Sequence, residues 1–270
     1  MKDSSWIELA YEDYTIHKQT YAELEVIYAT SENTLRKYFD QLKVPKPLIK
    51  VCPESVNLIF DTTFFKRSLG VMVFRKPSKN ISWKYVETEK LSFYLEELLK
   101  LKELGFTFRS FTIDGRKGLI SLLQIHFNTI PIQLCHFHQV QIVTKYTTKN
   151  PKTECAKELR KFILNLKILS KKDFVEQFEN LQNTYKNFLK EKNEQGKFQH
   201  KSLRSAFRSI KTNLPYLFTF EDYSELEIPT TTNSCDGSFG QWKYKIKLHR
   251  HLNLDRKKQM IDKILGQKNP

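Results

Sequence analysis

Near the start of the chain, apolar side chains recur at intervals of three and four in two successive stretches. The positions that share a face are Tyr21, Leu24, Ile27 and Tyr28 in the first stretch and Leu35, Tyr38, Phe39 and Leu42 in the second. This period predicts two amphipathic helices within residues 18–42. Thr20 and Glu23 form a capping box for the first helix, and Ser31 can cap the second after a turn at residues 29–30.

A proline-rich connector follows these helices. Pro45, Pro47 and Pro53 interrupt both helices and inner strands, because proline has no backbone N–H to donate. We therefore predict a first domain at residues 1–45 and a linker at 46–54.

Beyond the linker, β-prone runs and helical patterns alternate. The predicted elements are strands at 57–65, 69–76 and 81–89, a helix at 90–104, a strand at 106–115, a helix at 116–127 and a strand at 130–138. The helix at 90–104 repeats leucine and stops at Gly105, a common helix end. The order indicates an α/β domain with a mixed sheet, not a doubly wound one.

A wholly helical segment interrupts this domain at about 150–225. Its aromatic and leucine side chains recur at steps of four and three, which is typical of core packing, at Phe174, Phe178, Leu181, Tyr185 and Phe188. A loop opened by Pro229 and one or two closing helices complete the chain. The second domain is thus predicted at 55–265, with a helical insertion at about 150–225.

The charge composition of the chain indicates the kind of molecule it binds. Net charge is +15, with 45 Lys and Arg against 30 Asp and Glu, and the excess is spread along the chain, which favours a polyanion such as DNA or RNA. A lysine-rich, merely solvated surface is the alternative. The four cysteines form no CxxC pair, the N-terminus has no signal-peptide pattern and no apolar run is long enough to span a membrane. A protein of the reducing cytosol, outside the membrane, is expected.

The two N-terminal helices, about one turn apart, are what a helix-turn-helix needs to lay its second helix in the major groove. Arg36 and Lys37 on that second helix are the candidate DNA contacts. An ordinary helical hairpin that packs on the next domain would show the same pattern.

Two carboxylates lie where strands could bring them together. Asp61 stands inside the apolar run "NLIFDTTFF", and Asp114 ends the strand "FTFRSFTIDG". A buried carboxylate is costly unless it is paired or coordinates a metal. If the two strands are neighbours, both acids share one sheet edge and could hold Mg²⁺, and two such ions could act on a phosphodiester. A third acid is then expected from a closing helix.

Cations interleave with aromatics near the C-terminus. Such a strip can follow phosphates, and the candidate contacts are Lys243, Lys245, Lys247, His249 and Arg250. Trp242 and Ile246 in the same strip fit a core-facing role equally well.

Taken together, "FDTTFF", "TIDGRKGL", "QLCHFHQ" and "TTTNSCDG" resemble the Mutator-like insertion-sequence transposases of bacteria. The overlap runs from about residue 55 to 255, and a preceding helix-turn-helix is usual in that family. The resemblance implies a ribonuclease-H-like mixed sheet with a large α-helical insertion, preceded by a small all-α helix-turn-helix domain. It also implies an acidic triad (DDE or DDD) that binds two Mg²⁺ or Mn²⁺ ions.

Residue by residue, Asp61 and Asp114 match the first two members of the triad. The third falls in the family pattern Thr-Asn-Ser-x-Glu-Gly, where this chain has Asp236 in place of Glu. Asp is one methylene shorter, and Mg²⁺ demands near-ideal geometry, so this substitution bears directly on activity.

Cys135 and His138 correspond to a family signature near the metal edge. With no second ligand pair evident, zinc is the weaker interpretation, and a structural histidine is the alternative for both His138 and His136. Asn233 stands beside the triad position, in a cluster that could equally serve as a helix cap.

The resulting hypothesis is a metal-dependent DNA transposase that cuts the ends of an insertion sequence and joins the freed 3′-hydroxyl to target DNA. Its expected partner is double-stranded DNA, bound by a homodimer or higher oligomer in the bacterial cytoplasm, at the nucleoid. A weak or inactive transposase relic that only binds DNA is the alternative, and a nuclease acting on RNA hybrids ranks last.

Overall fold

The computed structural model describes residues 5–42, 54–65, 69–77, 79–249 and 252–266, and it describes the side chains of all of these except 233–238. The chain divides into two compact units. Unit 1 holds residues 1–51, 62–88 and 234–270, and unit 2 holds 52–61 and 89–233. The predicted linker lies almost wholly outside the described residues, so the predicted domain boundaries stay a prediction.

Three helices and three strands come first, helices and strands then alternate up to the fifth strand, and every later element that the structure describes is a helix. In chain order they are α1 (Ser5–Thr15), α2 (Tyr21–Tyr28), α3 (Glu32–Gln41), β1 (Ser55–Phe65), β2 (Leu69–Lys76), β3 (Lys79–Val86), α4 (Leu91–Glu103), β4 (Thr107–Ile113), α5 (Leu119–His126), β5 (Ile132–Leu134), α6 (His136–Thr147), α7 (Glu154–Leu164), α8 (Lys171–Thr184), α9 (Lys201–Leu217), α10 (Thr219–Asp222), α11 (Asn233–Leu248) and α12 (Leu254–Gly266).

The five strands form one mixed sheet in the order β3-β2-β1-β4-β5. β2 and β3 pair antiparallel, whereas β1 with β4 and β4 with β5 pair parallel. The predicted α/β class with a mixed sheet is confirmed at this level.

Unit 1 contains a small core of the first three helices. Tyr11 and Tyr14 of α1 pack with Leu24, Leu35 and Phe39 of the two predicted helices. The capping box of Thr20 with Glu23 and the cap by Ser31 are both present. α1 was not among the predicted helices.

Also within unit 1, α12 is fixed to strand β3 by polar contacts. Asp262 is buried and accepts a 2.7 Å hydrogen bond from Trp83 Nε1, and the Tyr85 hydroxyl lies 2.7 Å from the same carboxylate. Asn80 donates to the Leu265 carbonyl at 3.0 Å. The buried carboxylate is therefore satisfied by two donors from one strand.

Unit 2 contains the parallel strands and the helical insertion. Of the predicted stripe, Phe174 and Phe178 of α8 are buried against other aromatic rings, those of Phe162, Phe207 and Phe218. The other three members, Leu181, Tyr185 and Phe188, are half-buried. Such ring pairs contribute to stability beyond the area they bury.

The strand predicted at 130–138 is shorter than expected. β5 ends at Leu134, and Cys135 is the N-cap residue of α6. His136 and His138 therefore lie on a helix, and the prediction that they belong to a strand was wrong. The third strand also ends early, at Val86 instead of residue 89.

Candidate active site

Asp61 and Asp114 lie at corresponding positions of two neighbouring parallel strands. In the β1–β4 pair, Ile59 is the register partner of Thr112, and each aspartate stands two residues beyond its strand's partner residue. Side chains two residues apart point to the same face of a sheet, and neighbouring strands are about 4.8 Å apart. The condition set by the sequence, that the two strands be neighbours, is met.

The two acids differ in exposure. Asp61 lies within β1 and is 7% exposed, whereas Asp114 follows the last residue of β4 and is half-buried. The Arg116 backbone N–H lies 3.3 Å from an Asp114 carboxylate oxygen and donates to it. This hydrogen bond holds the loop after β4 in a turn around the carboxylate.

A third carboxylate of unit 2, Glu89, interacts with Asp114. Burial raises the pKa of Glu89 above its ordinary value, and the negative charge of Asp114 raises it further, while Tyr94 and Arg116 oppose the shift. Glu89 accepts from the Tyr94 hydroxyl and forms an ion pair with Arg116. Neither Glu89 nor Arg116 was predicted, because no local pattern links them.

Cys135 and His138 meet Thr232 at the end of β5. The Cys135 sulfur accepts from the backbone N–H of Thr232 at 3.2 Å and from its hydroxyl at 3.3 Å. The same hydroxyl lies 3.4 Å from His138 Nδ1. Burial alone raises the pKa of the Cys135 thiol, but hydrogen bonds from His138 and Thr232 outweigh it and hold that pKa below its usual range.

Three hydrogen bonds hold the segment that contains Thr232 against the sheet. The Thr112 hydroxyl donates to the Pro229 carbonyl at 2.8 Å, and the His136 backbone N–H donates to the Thr230 carbonyl at 2.9 Å. With the Thr232–Cys135 contact, they fix residues 229–232 along the ends of β4 and β5 in unit 2.

His136 has a structural environment. Its Nε2 lies 2.6 Å from the Leu217 carbonyl, and its side chain is 1% exposed. Burial lowers its pKa, so the ring is neutral near pH 7 and donates to that carbonyl. The structural alternative left open for His136 is therefore the one that its contacts support.

The third predicted acid is located only by its backbone. α11 begins at Asn233, which places Asp236 in its first turn. The side chains of Asn233 and Asp236 lie outside the described ones. Among the side chains that are described, no three His, Cys, Asp or Glu residues are grouped to hold a metal ion.

The predicted DNA contacts on α3 have different surroundings. Lys37 is exposed, whereas Arg36 pairs with Glu32 and stacks its guanidinium 4.6 Å from the Tyr21 ring centre. Asp40 on the same helix pairs with Arg256. Only Lys37 thus presents a cation to solvent without another role.

The predicted DNA contacts on α11 also differ in how exposed their side chains are. Trp242 and Ile246 are buried, while Lys243 and Lys247 are exposed. Lys245 is half-buried, and burial lowers its pKa with a further contribution from the positive charge of Lys18.

His249 is 6% exposed, with its ring centre 3.8 Å from that of Tyr14. Burial lowers its pKa to about 4, so the ring is uncharged near pH 7. It belongs to the packing of unit 1, and we leave it out of the proposed DNA surface. Arg250 lies outside the described residues.

No protein-family model matches the chain, and no curated protein matches it. Among the described residues, no helix is both long and apolar enough to cross a membrane.

Proposed function

We propose that the chain is a metal-dependent DNA transposase of an insertion sequence. The observation that supports the proposal is the register of β1 and β4, in which Ile59 pairs with Thr112 and each aspartate follows two residues later along its strand. Asp114 directly follows the last residue of β4, and ligands characteristically bind at the carboxyl ends of parallel strands. The order of motifs along the sequence supports the same proposal.

The donor set fits a hard divalent cation. Two carboxylates at one sheet edge repel each other unless a cation neutralises them, and Mg²⁺ and Mn²⁺ take oxygen ligands of this kind. When bound, two such ions would activate a water or a 3′-hydroxyl and stabilise the leaving oxygen. Asp61 and Asp114 would hold the ions, and Asp236 is proposed as the third carboxylate.

In the proposed reaction, water hydrolyses a phosphodiester at the element's end and frees a 3′-hydroxyl. That hydroxyl then attacks a target phosphodiester in line, so one P–O bond forms as another breaks. The chain's carboxylates position the reacting phosphate, and no covalent protein–DNA bond is required. We propose that a homodimer or higher oligomer assembles on the DNA.

A second candidate function is a relic that binds DNA without cutting it. Its specific support is Asp236, since the shorter side chain draws the carboxylate back from where a Glu would place it. Lys37, Lys243 and Lys247 remain exposed as proposed DNA contacts in either case.

The test is strand cleavage with Mn²⁺ and DNA bearing the element's terminal repeats. The wild type is compared with Asp61→Asn and Asp114→Asn, and with Asp255→Asn at an exposed position as a matched control. Cleavage by the wild type and the control, lost in the other two, supports the proposal. Equal cleavage by all four proteins contradicts the site.

If the wild type does not cleave, Asp236→Glu separates the two candidates. Cleavage gained by Asp236→Glu and abolished again by adding Asp61→Asn identifies a relic of a transposase. If Asp236→Glu binds DNA yet stays inactive, the chain is a DNA-binding protein without this catalytic history.

A further inference from the structure

Helix α9, in the insertion of unit 2, carries cations along one face. Its four basic residues follow the spacing i, i+3, i+7, i+10, which keeps them on one side of a helix, and α9 contains neither Asp nor Glu. The four are Lys201, Arg204, Arg208 and Lys211. The sequence analysis predicted no function for these four residues.

Packing on the opposite side fixes which way the cations point. α9 buries Leu203, Ala206, Phe207, Ile210 and Leu217. Lys201, Arg208 and Lys211 are exposed, as are Ser202 and Thr212 next to them in sequence. The outer face is therefore cationic and polar, with a fixed orientation.

Three of the four cations have no anionic partner among the described residues. Within the described part of the chain, Lys201, Arg208 and Lys211 form no ion pair with an acidic side chain. Arg204 differs, because its guanidinium lies 3.6 Å from the Phe198 ring centre and it donates to the Leu189 carbonyl at 2.8 Å. We define the α9 basic face as Lys201, Arg208 and Lys211.

Asn213 of α9 lies near the loop after β4 in the same unit. A Cβ atom placed on Gly115, the residue after Asp114, would lie 3.6 Å from Asn213 Nδ2 of α9. Asn213 is itself held by a 2.7 Å hydrogen bond to Gln139 Oε1. Arg208 stands about 8 Å along the helix axis from Asn213 and about 140° around that axis, so the α9 basic face and Asn213 lie on different sides of the helix.

We propose that the α9 basic face binds the phosphate backbone of double-stranded DNA. The proposal rests on the proposed function for its choice of DNA. The face is about 15 Å long, which spans roughly four phosphates of one strand at about 3.4 Å each. It offers no apolar side chain for insertion into a lipid surface, and cations without partners complement a continuous polyanion.

The test is the salt dependence of binding to a mixed-sequence DNA duplex, measured in EDTA so that cleavage plays no part. The triple variant Lys201→Gln, Arg208→Gln, Lys211→Gln is compared with the wild type. Its matched control removes the same charge from three exposed lysines of the same unit, by Lys161→Gln, Lys172→Gln and Lys186→Gln.

The slope of log K against log salt is negative, and each lost phosphate contact reduces its magnitude by about 0.9, so the slope of the α9 triple variant should be less steep by about 3. The control triple variant should keep the wild-type slope. An equal loss in both variants, or no loss in the α9 variant, overturns the proposal, because general net charge would then explain binding.

Anionic phospholipid vesicles serve as a second probe. If the α9 triple variant loses vesicle binding while its DNA slope is unchanged, the partner is a lipid surface and the proposal fails. Circular dichroism checks the fold of both triple variants. Should the triple variant misfold, Arg208→Gln alone should reduce the magnitude of the salt slope for DNA binding by about 1. An unchanged slope would contradict the proposal.

The outcome is separable from that of the proposed function. A wild type that binds DNA through the α9 basic face but never cleaves it supports this inference and defeats the transposase. If the wild type cleaves DNA and the α9 triple variant keeps the wild-type salt slope, the transposase is supported and this inference is contradicted.

Discussion

The backbone N–H of Thr232 donates to the sulfur of Cys135 at 3.2 Å, and this contact joins the residue before α11 to the N-cap of α6. A buried sulfur that accepts several hydrogen bonds is stabilised as a thiolate. The pair Cys135 and His138, which the sequence marked without a role, thus belongs to one hydrogen-bonded cluster with Thr232.

Replacing Thr232 with Val removes the hydroxyl that donates to Cys135 and keeps the backbone N–H. We expect the pKa of Cys135 to rise, because one of the bonds that offset burial is lost. The measurement is the ultraviolet absorbance of the thiolate against pH, taken as the difference from the same protein with Cys135→Ser. Thr232→Ser should keep the wild-type pKa, and an identical rise in both variants would argue against the hydroxyl's role.

Acid should destabilise the protein through His249. Its pKa in the folded state is about 4, below the ordinary value of about 6.5, so the unfolded chain binds a proton first as pH falls. Stability is therefore full above the unfolded pKa and declines between about pH 6.5 and pH 4, by on the order of 2 kcal/mol at pH 5.

Urea unfolding of wild type and His249→Phe at several pH values measures this effect. The substituted ring can still pack on Tyr14, so the variant should lose most of that decline while keeping its stability at neutral pH. His126→Phe, at an exposed position, is the control and should behave as the wild type does. A pH dependence that persists undiminished in His249→Phe would contradict the assignment.

Asp262 should be costly to remove. Asp262→Leu leaves Trp83 Nε1 without its acceptor, whereas the Tyr85 hydroxyl still lies 2.9 Å from the Lys258 carbonyl. We expect a loss of about 1–3 kcal/mol, the cost of one buried donor left unsatisfied. Adding Trp83→Phe should recover part of that loss in chemical denaturation. If the double variant is no more stable than the single one, the orphaned donor is not the cause.

Arg116→Met should make the stability of the protein more sensitive to pH. The pKa of Glu89 is already raised by burial, and loss of the guanidinium raises it further. A carboxyl group whose pKa is higher in the folded than in the unfolded protein stabilises the fold below its unfolded pKa. That stability is lost as the pH rises through the folded pKa. The variant should therefore lose about 1–2 kcal/mol at neutral pH and less at about pH 4. Arg116→Lys is the control, and a loss that is independent of pH would contradict the pairing.

Local signals in the sequence predicted local structure well. The capping box of Thr20 with Glu23 and the leucine repeat of α4 are complete within a few residues, so both helices could be found without tertiary information. That β1 and β4 are neighbours was only a condition in the sequence analysis, because no local pattern determines which strands pair.

α6 was missed because polar residues occupy its buried face. That face consists of His136, Gln139, Val143 and Thr147, whose partners are supplied by other elements, so the apolar period of a helix is hidden. The ion pair of Glu89 with Arg116 depends on how two loops meet in unit 2. No spacing of residues along the sequence predicts this ion pair.

We propose that Asp61 and Asp114 bind the same divalent ion, and Mn²⁺ binding followed by electron paramagnetic resonance measures this. Asp61→Asn and Asp114→Asn should each weaken Mn²⁺ binding by at least about tenfold, since each removes a charged ligand. Asp255→Asn should bind as the wild type does. Unchanged affinity in either Asp61→Asn or Asp114→Asn would contradict the claim.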